Sequence, residues 1–318
     1  MSASGEKFPG VRRLLIDCDP GIDDALALYA ALASDAVTIH GITTVYGNVA
    51  VRQATRNVAR LLEVLGHPPS LPIGEGAEQP LTASRLPRRS IHGRDGLGDL
   101  HSLPVVPVPA SLPESTPLMT DLLKRHLVQE IVALGPLTNL AHVFASAPAL
   151  LRGLQRIHVM GGVVAKTSGP GTSEFNLASD PAAARCVLNS RVPLRWIPLS
   201  VAASVVIPPA AIDRFRAAHP HSRVASTIAE LLSCTVRTRD RGGAVAPDAV
   251  ALALAVDPTL GVWRSRRLEL EPRTRLGRLT LELGVPNAQL CEAVDERGVM
   301  AMLWNLWSVL ATRDAAHS

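Results

Sequence analysis

Short apolar runs alternate with helix-forming segments through the first two thirds of this 318-residue chain. The apolar runs have the length of buried strands, whereas the segments between them carry apolar residues at helical spacing. The main predicted strands are 11–17, 37–45, 130–134, 156–160 and 194–198, and the predicted helices include 23–33, 50–65, 181–189 and 249–256. Strands and helices in regular alternation predict a Rossmann-like α/β fold, with a mostly parallel central sheet and helices on both faces.

Three irregular segments interrupt this alternation, at 68–118, 163–180 and 233–246. They are polar or rich in Gly and Pro, and long loops in a compact domain are often lids or binding loops. No internal repeat and no clear linker stands out. The sequence therefore predicts one domain over residues 11–312, between flexible termini at 1–10 and 313–318.

Asp19, Asp23 and Asp24 fall within six positions, between the first predicted strand and the first predicted helix. In an open parallel sheet this turn lies at the carboxyl end of a strand, where ligands bind. Carboxylates this close repel one another, and one would be protonated unless a cation neutralised them. A helix N-cap accounts for one carboxylate but not for three. The pattern favours a site for Ca²⁺ or Mg²⁺, which prefer oxygen ligands.

Further polar residues follow predicted strands or begin predicted helices, and a parallel sheet would bring them to the same rim. They are Asn48, Asn139, Glu174, Asn176 and Asp248. Each alone is a weak signal, because Asn139 and Asp248 suit helix starts and Glu174 and Asn176 suit a solvated loop. Only their joint placement favours a functional site.

Several runs together resemble one known family. They are Asp-Cys-Asp-Pro-Gly-Ile-Asp-Asp-Ala at 17–25, Thr-Thr-Val-Tyr-Gly-Asn at 43–48, Leu-Gly-Pro-Leu-Thr-Asn at 134–139, Met-Gly-Gly at 160–162, and Glu-Phe-Asn at 174–176 followed by Asp-Pro at 180–181. In order and spacing, from about Arg12 to Leu310, the chain is similar to the inosine–uridine-preferring nucleoside hydrolases.

The resemblance implies a calcium-dependent N-ribohydrolase that releases free base and ribose from a ribonucleoside, and a homodimer or homotetramer. It implies Ca²⁺ ligands at Asp19, Asp24, Asp248 and the backbone carbonyl of Leu134, with Asp19 also the general base toward a calcium-bound water. The implied substrate contacts are Asp23 at the ribose 2′-hydroxyl, Asn176 at the 3′-hydroxyl, Glu174 and Met160 at the 5′ side, Asn48 near the metal water and the sugar, and His92 and Phe175 at the base.

Two positions depart from the family pattern. Pro247 stands where the family commonly has a histidine that protonates the leaving base. The donor is then His92, a residue of the charged run 239–241, or absent, although arginine is a poor proton donor and a solvated loop is the simpler interpretation of that run. Ser168 replaces a usual asparagine, which weakens the predicted grip on the 5′-hydroxyl. With aromatic content of only 3%, a small, modified or easily displaced base is predicted.

Composition excludes other classes of partner. The net charge is +4 and the isoelectric point about 9.2, but the basic residues are mostly scattered and lack an aromatic stacking motif. We therefore predict no nucleic-acid partner. The four cysteines form no CxxC pair, which predicts reduced thiols in a cytoplasmic protein. No run of about 18 apolar residues is present, so no membrane span is predicted.

Two other functions stay open. Because the usual proton donor is missing, the chain could be a nucleoside or ribose binder with weakened catalysis. The run Asp17-Cys18-Asp19 also resembles the start of aspartyl phosphotransferases of the haloacid-dehalogenase type. That match is poor, since Gly21 stands where Thr or Val is usual and the pair Asp23 and Asp24 has no role there.

Overall fold

The computed structural model describes residues 10–66, 70–82, 90–107, 111–165, 172–238, 242–271 and 276–316. Its strands are β1 (Arg12–Cys18), β2 (Val37–Thr44), β3 (Ile73–Glu75), β4 (Glu130–Ala133), β5 (Arg156–Met160), β6 (Val163–Val164), β7 (Leu194–Ile197), β8 (Gly261–Leu270), β9 (Arg278–Glu282) and β10 (Ala288–Val294). Its α-helices are α1 (Ile22–Ala33), α2 (Val51–Val64), α3 (Ser115–Lys124), α4 (Thr138–Ser146), α5 (Pro148–Arg152), α6 (Phe175–Ser179), α7 (Pro181–Leu188), α8 (Leu199–Ala202), α9 (Pro209–Ala218), α10 (Arg223–Thr238), α11 (Pro247–Val256) and α12 (Glu296–Ala315). Short 3₁₀ turns lie at Ser90–His92 and Pro258–Leu260.

The strands form one sheet in the order β3-β2-β1-β4-β5-β7-β10-β8-β9-β6. The pairs from β3 through to β10 are parallel, whereas β8 runs antiparallel to both β10 and β9. The chain builds outward from β1 through β2 to β3, and then returns to the other side of β1 with β4. The carboxyl ends of β1 and β4 therefore flank the point where the strand order reverses, which is where open α/β sheets bind ligands.

Strand β1 shows how the sheet is covered on both faces. Leu14 and Ile16 join an apolar core that includes residues of α1, α10, α11 and α12, whereas Leu15 joins a second core with residues of α3, α4 and α7. Successive side chains of a strand point to opposite faces. A strand covered on both faces therefore needs apolar residues at consecutive positions, which is the run seen in the sequence.

The predicted fold class is confirmed: the chain is a single mixed α/β domain with a mostly parallel sheet. Most of the predicted elements above are present with ends shifted by one residue, and Arg156–Met160 is unchanged. Helix α12 extends past the predicted domain end at 312, and near its end the buried carboxylate of Asp314 accepts a hydrogen bond from Ser222 Oγ at 2.7 Å. Residues 1–9 lie outside the described part. No helix within that part is long and apolar enough to cross a membrane.

Candidate active site

A cleft of about 460 Å³, solvent at its mouth included, opens where the parallel strands end. It brings together Asp19 and Asp23 from the turn between β1 and α1, Asn48 after β2, His92 from the 3₁₀ turn, Leu134 after β4, Met160 at the end of β5, Glu174, Phe175 and Asn176 at the start of α6, and Asp248 in α11. Asp24 lies beside this lining. Ser168 and the charged run 239–241 fall outside the described residues.

Asp19 is buried and closely surrounded. The backbone N–H of Asn48 donates to Oδ2 of Asp19 at 2.7 Å, and Asn48 Nδ2 donates to the Asp19 carbonyl at 3.3 Å. Glycines stand where the backbone comes closest: a Cβ on Gly47 would overlap Oδ2 of Asp19, and a Cβ on Gly135 would lie 2.7 Å from Oδ1. The glycines of two sequence motifs therefore leave the space that the Asp19 carboxylate occupies.

Asp23, Asp24 and Asp248 are buried and can place one carboxylate oxygen each within 4.8 Å of one another. Asp24 also caps α1, because its Oδ2 accepts the backbone N–H of Gly21 at 2.9 Å. Asp248 is not a cap, since α11 begins at Pro247 with Ala246 as its N-cap residue. The capping interpretation therefore holds for Asp24 alone, and it does not account for the carboxylates of Asp23 and Asp248 that lie close to it.

Among the carboxylates, the cluster and the ligand set implied by resemblance differ in one member. Asp23 belongs to the cluster, whereas Asp19 lies beside it, with its backbone N–H donating to Asp24 Oδ1 at 3.3 Å. The side chain of Asn48 connects the two, since its Nδ2 also donates to Asp24 Oδ2 at 3.4 Å. Asp19 and the cluster thus form one acidic region around the turn between β1 and α1.

Burial raises the pKa values of the Asp19, Asp24 and Asp248 carboxyl groups in this region, and repulsion between the carboxylates raises them further. Desolvation and the charge of Asp23 raise the pKa of Asp24 to about 7, and the same kinds of cause raise the pKa of Asp19 and of Asp248 well above the usual range. Within the described ranges, no Lys or Arg forms an ion pair with Asp19, Asp24 or Asp248. An all-oxygen donor set buried in this way fits a hard divalent cation.

The Leu134 carbonyl, the fourth predicted ligand, lies at the same cleft. It accepts a hydrogen bond from Asn176 Nδ2 at 2.5 Å, and the same nitrogen lies 3.4 Å from the Met160 carbonyl oxygen. A carbonyl oxygen has two lone pairs, so the bond from Asn176 still leaves one for another partner. The position of Leu134 is therefore compatible with the predicted ligand role.

Glu174 organises the start of α6. Its Oε1 accepts the N–H of Asn176 at 2.7 Å, and its Oε2 accepts the N–H groups of Leu177 and Gly162 at 3.0 and 2.8 Å. These bonds cap α6 and connect it to the backbone after β5. Glu174 thus holds Asn176 and Phe175 in the lining, and its contact with the 5′ side of a substrate stays a prediction.

His92 is held by the start of α1. The N–H of Ile22 donates to Nδ1 of His92 at 3.1 Å, and Nδ1 lies 3.6 Å from Asp23 Oδ1. When Nδ1 is the acceptor, the neutral imidazole carries its proton on Nε2. Pro247 shares the lining with His92, and proline suits the first turn of α11 but has no N–H to donate.

Two apolar residues of the lining, Ile91 and Leu199, were not predicted from the sequence. Leu199 comes two residues after the parallel strand β7, and this position relative to a strand end was the signal that could have found it. Ile91 had no such signal apart from its place beside His92. Together with Phe175 and Pro247 they supply apolar surface in a cleft that is otherwise strongly acidic.

Asn139, for which a helix start and a ligand role were both open, has a structural role. It is buried in the first turn of α4, and its Nδ2 donates to Asp17 Oδ1 at 2.7 Å and to the Thr44 carbonyl at 2.9 Å. Its Oδ1 accepts the N–H of Ala77 at 2.9 Å. Asn139 therefore ties α4 to β1, to the end of β2 and to the segment after β3, and it does not line the cleft.

An acidic cleft at the point where the strand order of a parallel sheet reverses is the usual place of a ligand site in open α/β proteins. The chain belongs to the inosine-uridine preferring nucleoside hydrolase family, whose model matches residues 14–301. Membership places it among the hydrolases that act on N-glycosyl bonds.

The comparisons with individual proteins agree with this membership. The chain is 32% identical over 307 residues to the pyrimidine-specific ribonucleoside hydrolase RihA of Salmonella enteritidis PT4, covering 91% of this chain and 96% of that protein. Among solved structures, the purine-preferring ribonucleoside hydrolase from Gardnerella vaginalis has a TM-score of 0.85 at 26% identity, over 94% of this chain and 99% of that one. An inosine-guanosine nucleoside hydrolase has a TM-score of 0.83 at 26% identity, over 93% and 98%.

Proposed function

We propose that the chain hydrolyses the N-glycosidic bond of a ribonucleoside to free base and ribose, with Ca²⁺ held at the acidic region of the cleft. The observation that supports this proposal most is the cluster of Asp23, Asp24 and Asp248 next to Asp19, at the point where the strand order of the sheet reverses. The acidic part of the cleft suits a cation and a sugar diol, and the apolar part suits a base.

The residues assigned to the cation are Asp19, Asp24, Asp248 and the Leu134 carbonyl. When bound there, a divalent cation supplies Lewis-acid chemistry that acidifies water and orients neighbouring hydroxyl groups. The oxygen donors suit Ca²⁺ or Mg²⁺, and the resemblance to calcium-dependent relatives favours Ca²⁺. Asp23 is assigned to the ribose 2′-hydroxyl, which would place the sugar against the same acidic cluster.

Asp19 is assigned as the general base that takes a proton from the attacking water. The hydrogen bond from Asn48 N–H to Oδ2 fixes the orientation of its carboxylate, and a cation held beside it would keep that carboxylate ionised, as a general base must be. Cleavage of the bond develops positive charge on the sugar ring, as in glycosidases. The neighbouring carboxylates stabilise that charge in a buried site.

His92 is assigned as the proton donor to the leaving base. While Nδ1 accepts the Ile22 N–H the ring is neutral and Nε2–H only donates a hydrogen bond, so proton transfer from Nε2 requires the imidazolium, whose Nδ1–H would instead donate to the Asp23 carboxylate 3.6 Å away. Pro247 offers no proton at the position where the family commonly has a histidine. Phe175, Ile91, Leu199 and Pro247 then contribute apolar contacts to the base.

The base is proposed to be small, modified or easily displaced. No tryptophan is among the described lining residues, and the indoles of Trp196 and Trp307 instead donate to the buried carbonyls of Gly161 and Leu26. A stacked purine between two indoles is therefore not supported. The relatives do not decide the base, since those cited above are named for pyrimidines in one case and for purines or purine nucleosides in the others.

The test is a base-release screen over purine, pyrimidine and modified ribonucleosides, with Ca²⁺ and with a chelator. We expect release that the chelator abolishes and added Ca²⁺ restores, and a rate of release about 10⁴-fold lower with 2′-deoxynucleosides.

Asp19→Ala should lower kcat by roughly 10³-fold or more. Asn189→Ala, at an exposed helix end, is the control and should retain the wild-type rate. Near-normal turnover by Asp19→Ala would refute the assigned role.

The placement of Pro247 in the lining supports a second candidate, a nucleoside or ribose binder with weakened catalysis. It predicts a higher melting temperature with ribose or a ribonucleoside but no release of base from any member of the screen. Release of ribose from a single ribonucleoside would exclude it.

The homodimer or homotetramer stays a prediction, for which light scattering of the purified protein is the direct measurement.

A further inference from the structure

The loop of residues 92–104, the His92 loop, is bonded to helix α2 by two side chains outside the proposed site. Asn57 Nδ2 donates to the carbonyl of Asp95 at 2.7 Å, three residues after His92. One turn further along α2, Arg60 Nη1 donates to Asp95 Oδ2 at 2.8 Å, and Arg60 Nε donates to the Pro104 carbonyl at 3.1 Å. The position of this loop is therefore set from α2.

Asn57 also binds the aspartate turn, the turn between β1 and α1 that carries Asp19, Asp23 and Asp24. Its Nδ2 donates a second hydrogen bond, to the carbonyl of Pro20 at 3.0 Å, and Pro20 lies between Asp19 and Asp23. The Oδ1 atom accepts a bond from Gln53 Nε2 at 2.8 Å, and Asn57 is fully buried. A side-chain amide has two N–H groups, so the nitrogen of Asn57 is fully used in joining the aspartate turn to the His92 loop.

The His92 loop is internally bonded, so that a shift at Asp95 is transmitted to His92. Asp95 Oδ1 accepts the N–H groups of Leu97 and Asp99 at 2.8 and 3.0 Å, and Gly98 N–H donates to the His92 carbonyl at 2.8 Å. Gly96, at a φ of 89°, packs so closely that a Cβ atom there would lie 2.9 Å from Asn57 Nδ2 and 3.0 Å from the Pro20 carbonyl.

We propose that Asn57 is a positioning residue for the hydrolysis. It fixes the position of His92 relative to the aspartate turn and does not touch the substrate. This inference rests on the proposed role of His92. The Asn57 side chain bonds to both the loop and the turn, and His92 itself contacts the turn through the bond from Ile22 N–H and its approach to Asp23 at 3.6 Å. Without the bridge through Asn57 the loop loses a fixed attachment to the turn, and small errors in the placement of a catalytic group reduce its effect strongly.

The experiment compares Asn57→Leu with Asn287→Leu. Asn287 is a matched control, because its Nδ2 also donates to two backbone carbonyls, those of Leu188 and Leu268, but in a part of the fold outside the cleft. Leucine has a similar volume and cannot donate. We expect Asn57→Leu to lower kcat about 10- to 100-fold with little change in KM, and Asn287→Leu to stay within about twofold of wild type.

A double-mutant cycle separates positioning from general loss of structure. In a His92→Gln background, Asn57→Leu should cost no more than about threefold, because the group that it positions is already gone. Hydrogen exchange gives a readout independent of activity: amides of residues 92–100 should exchange faster in Asn57→Leu and not in Asn287→Leu. An equal loss of kcat in both backgrounds, or unchanged exchange in this segment, would overturn the proposal.

Arg60→Met provides a second variant if Asn57→Leu does not fold. It removes the bonds to Asp95 and Pro104 from a less buried position, so it should speed exchange in 92–100 and lower kcat by a smaller factor, roughly three- to tenfold. If the wild-type chain releases no base from any ribonucleoside, the proposed function fails. The exchange comparison still decides in that case whether Asn57 holds the loop.

Discussion

The backbone of Gly47 lies directly against the carboxylate of Asp19, so closely that a Cβ atom on Gly47 would overlap Oδ2. The adjacent N–H, that of Asn48, donates to the same oxygen at 2.7 Å. The close approach and the hydrogen bond depend on each other, because the backbone could not come near enough to donate if residue 47 had a side chain. The glycine of the second sequence motif is thus part of how the aspartate of the first motif is oriented.

Gly47→Ala should therefore displace Asp19 and lower kcat/KM by about 100-fold or more, since a misplaced general base loses most of its effect. We expect a modest loss of stability as well, about 1–3 kcal/mol for forcing a methyl group into a packed site. Steady-state kinetics and thermal melting measure the two effects. Gly153→Ala is the control, because Gly153 has an ordinary φ of −78° and its nearest neighbour, the Leu150 carbonyl, is 3.3 Å from an added Cβ. Wild-type kinetics in Gly47→Ala would contradict the steric account.

The acidic cluster predicts how pH changes stability when no cation is present. Folding raises the pKa of Asp24 from its ordinary 3.8 to about 7. A carboxyl with a raised pKa in the folded state stabilises the fold while it is protonated, and this contribution is lost as pH rises from about 4 through about 7. Burial and neighbouring carboxylates raise the pKa of Asp19 and Asp248 too, which adds to the trend.

Ca²⁺ should consequently stabilise the protein more at pH 8 than at pH 5, because a cation must displace protons from the cluster at low pH. A free Ca²⁺ concentration of 100 times the dissociation constant should raise the free energy of unfolding by about 2.7 kcal/mol. Differential scanning calorimetry with chelator and with Ca²⁺ at several pH values measures this difference. Asp24→Asn should reduce both the stabilisation by Ca²⁺ and its pH dependence, while Asp121→Asn, at an exposed position of α3, should change neither. A Ca²⁺ effect that is equal at pH 5 and pH 8 would argue against binding at these carboxylates.

The parts of the site that could be predicted from the sequence are local in the chain. Asp19, Asp23 and Asp24 lie on one turn between a strand and a helix, so their proximity follows from chain geometry. Asn48 and Leu134 follow strands that pair with β1 or its neighbours in parallel, and parallel strands bring their carboxyl ends to one rim. The motif resemblance then supplied roles that spacing alone does not give.

The unpredicted parts depend on contacts between distant segments. The capping role of Glu174 includes the N–H of Gly162, and the bridge through Asn57 links Pro20 to Asp95, and neither contact leaves a periodic pattern in the sequence. Strand β8 was missed for another reason. Only Leu268 and Leu270 of its ten residues are buried, and it carries Arg264, Arg266 and Arg267, so it lacks the apolar run that predicts a buried strand.

The contribution of His92 to kcat should be largest for bases that leave slowly without a proton. His92→Gln removes the proposed acid, and we expect kcat for an ordinary ribonucleoside to fall about 10²- to 10⁴-fold, the usual contribution of general acid catalysis. With 4-nitrophenyl riboside, whose leaving group needs no proton, the same variant should stay within a few-fold of wild type. Asp19→Ala should be slow with both substrates, because the water must be deprotonated in either case. Equal losses of His92→Gln on both substrates would exclude proton donation as its role.

Pro247→His tests whether the position beside Asp248 is where a second proton donor is missing. Pro247 lines the cleft as the first residue of α11, so an imidazole there would face the same space. Loss of the proline ring should cost only about 0.4–1 kcal/mol, since the first turn of a helix does not require it. We expect kcat for ribonucleosides with poor leaving bases to rise about tenfold or more, with no change for 4-nitrophenyl riboside. The gain should also persist in the His92→Gln background if the two imidazoles act independently. A folded Pro247→His variant that gains nothing on any base would show that this chain already protonates its base from another position, or that its base leaves without a proton.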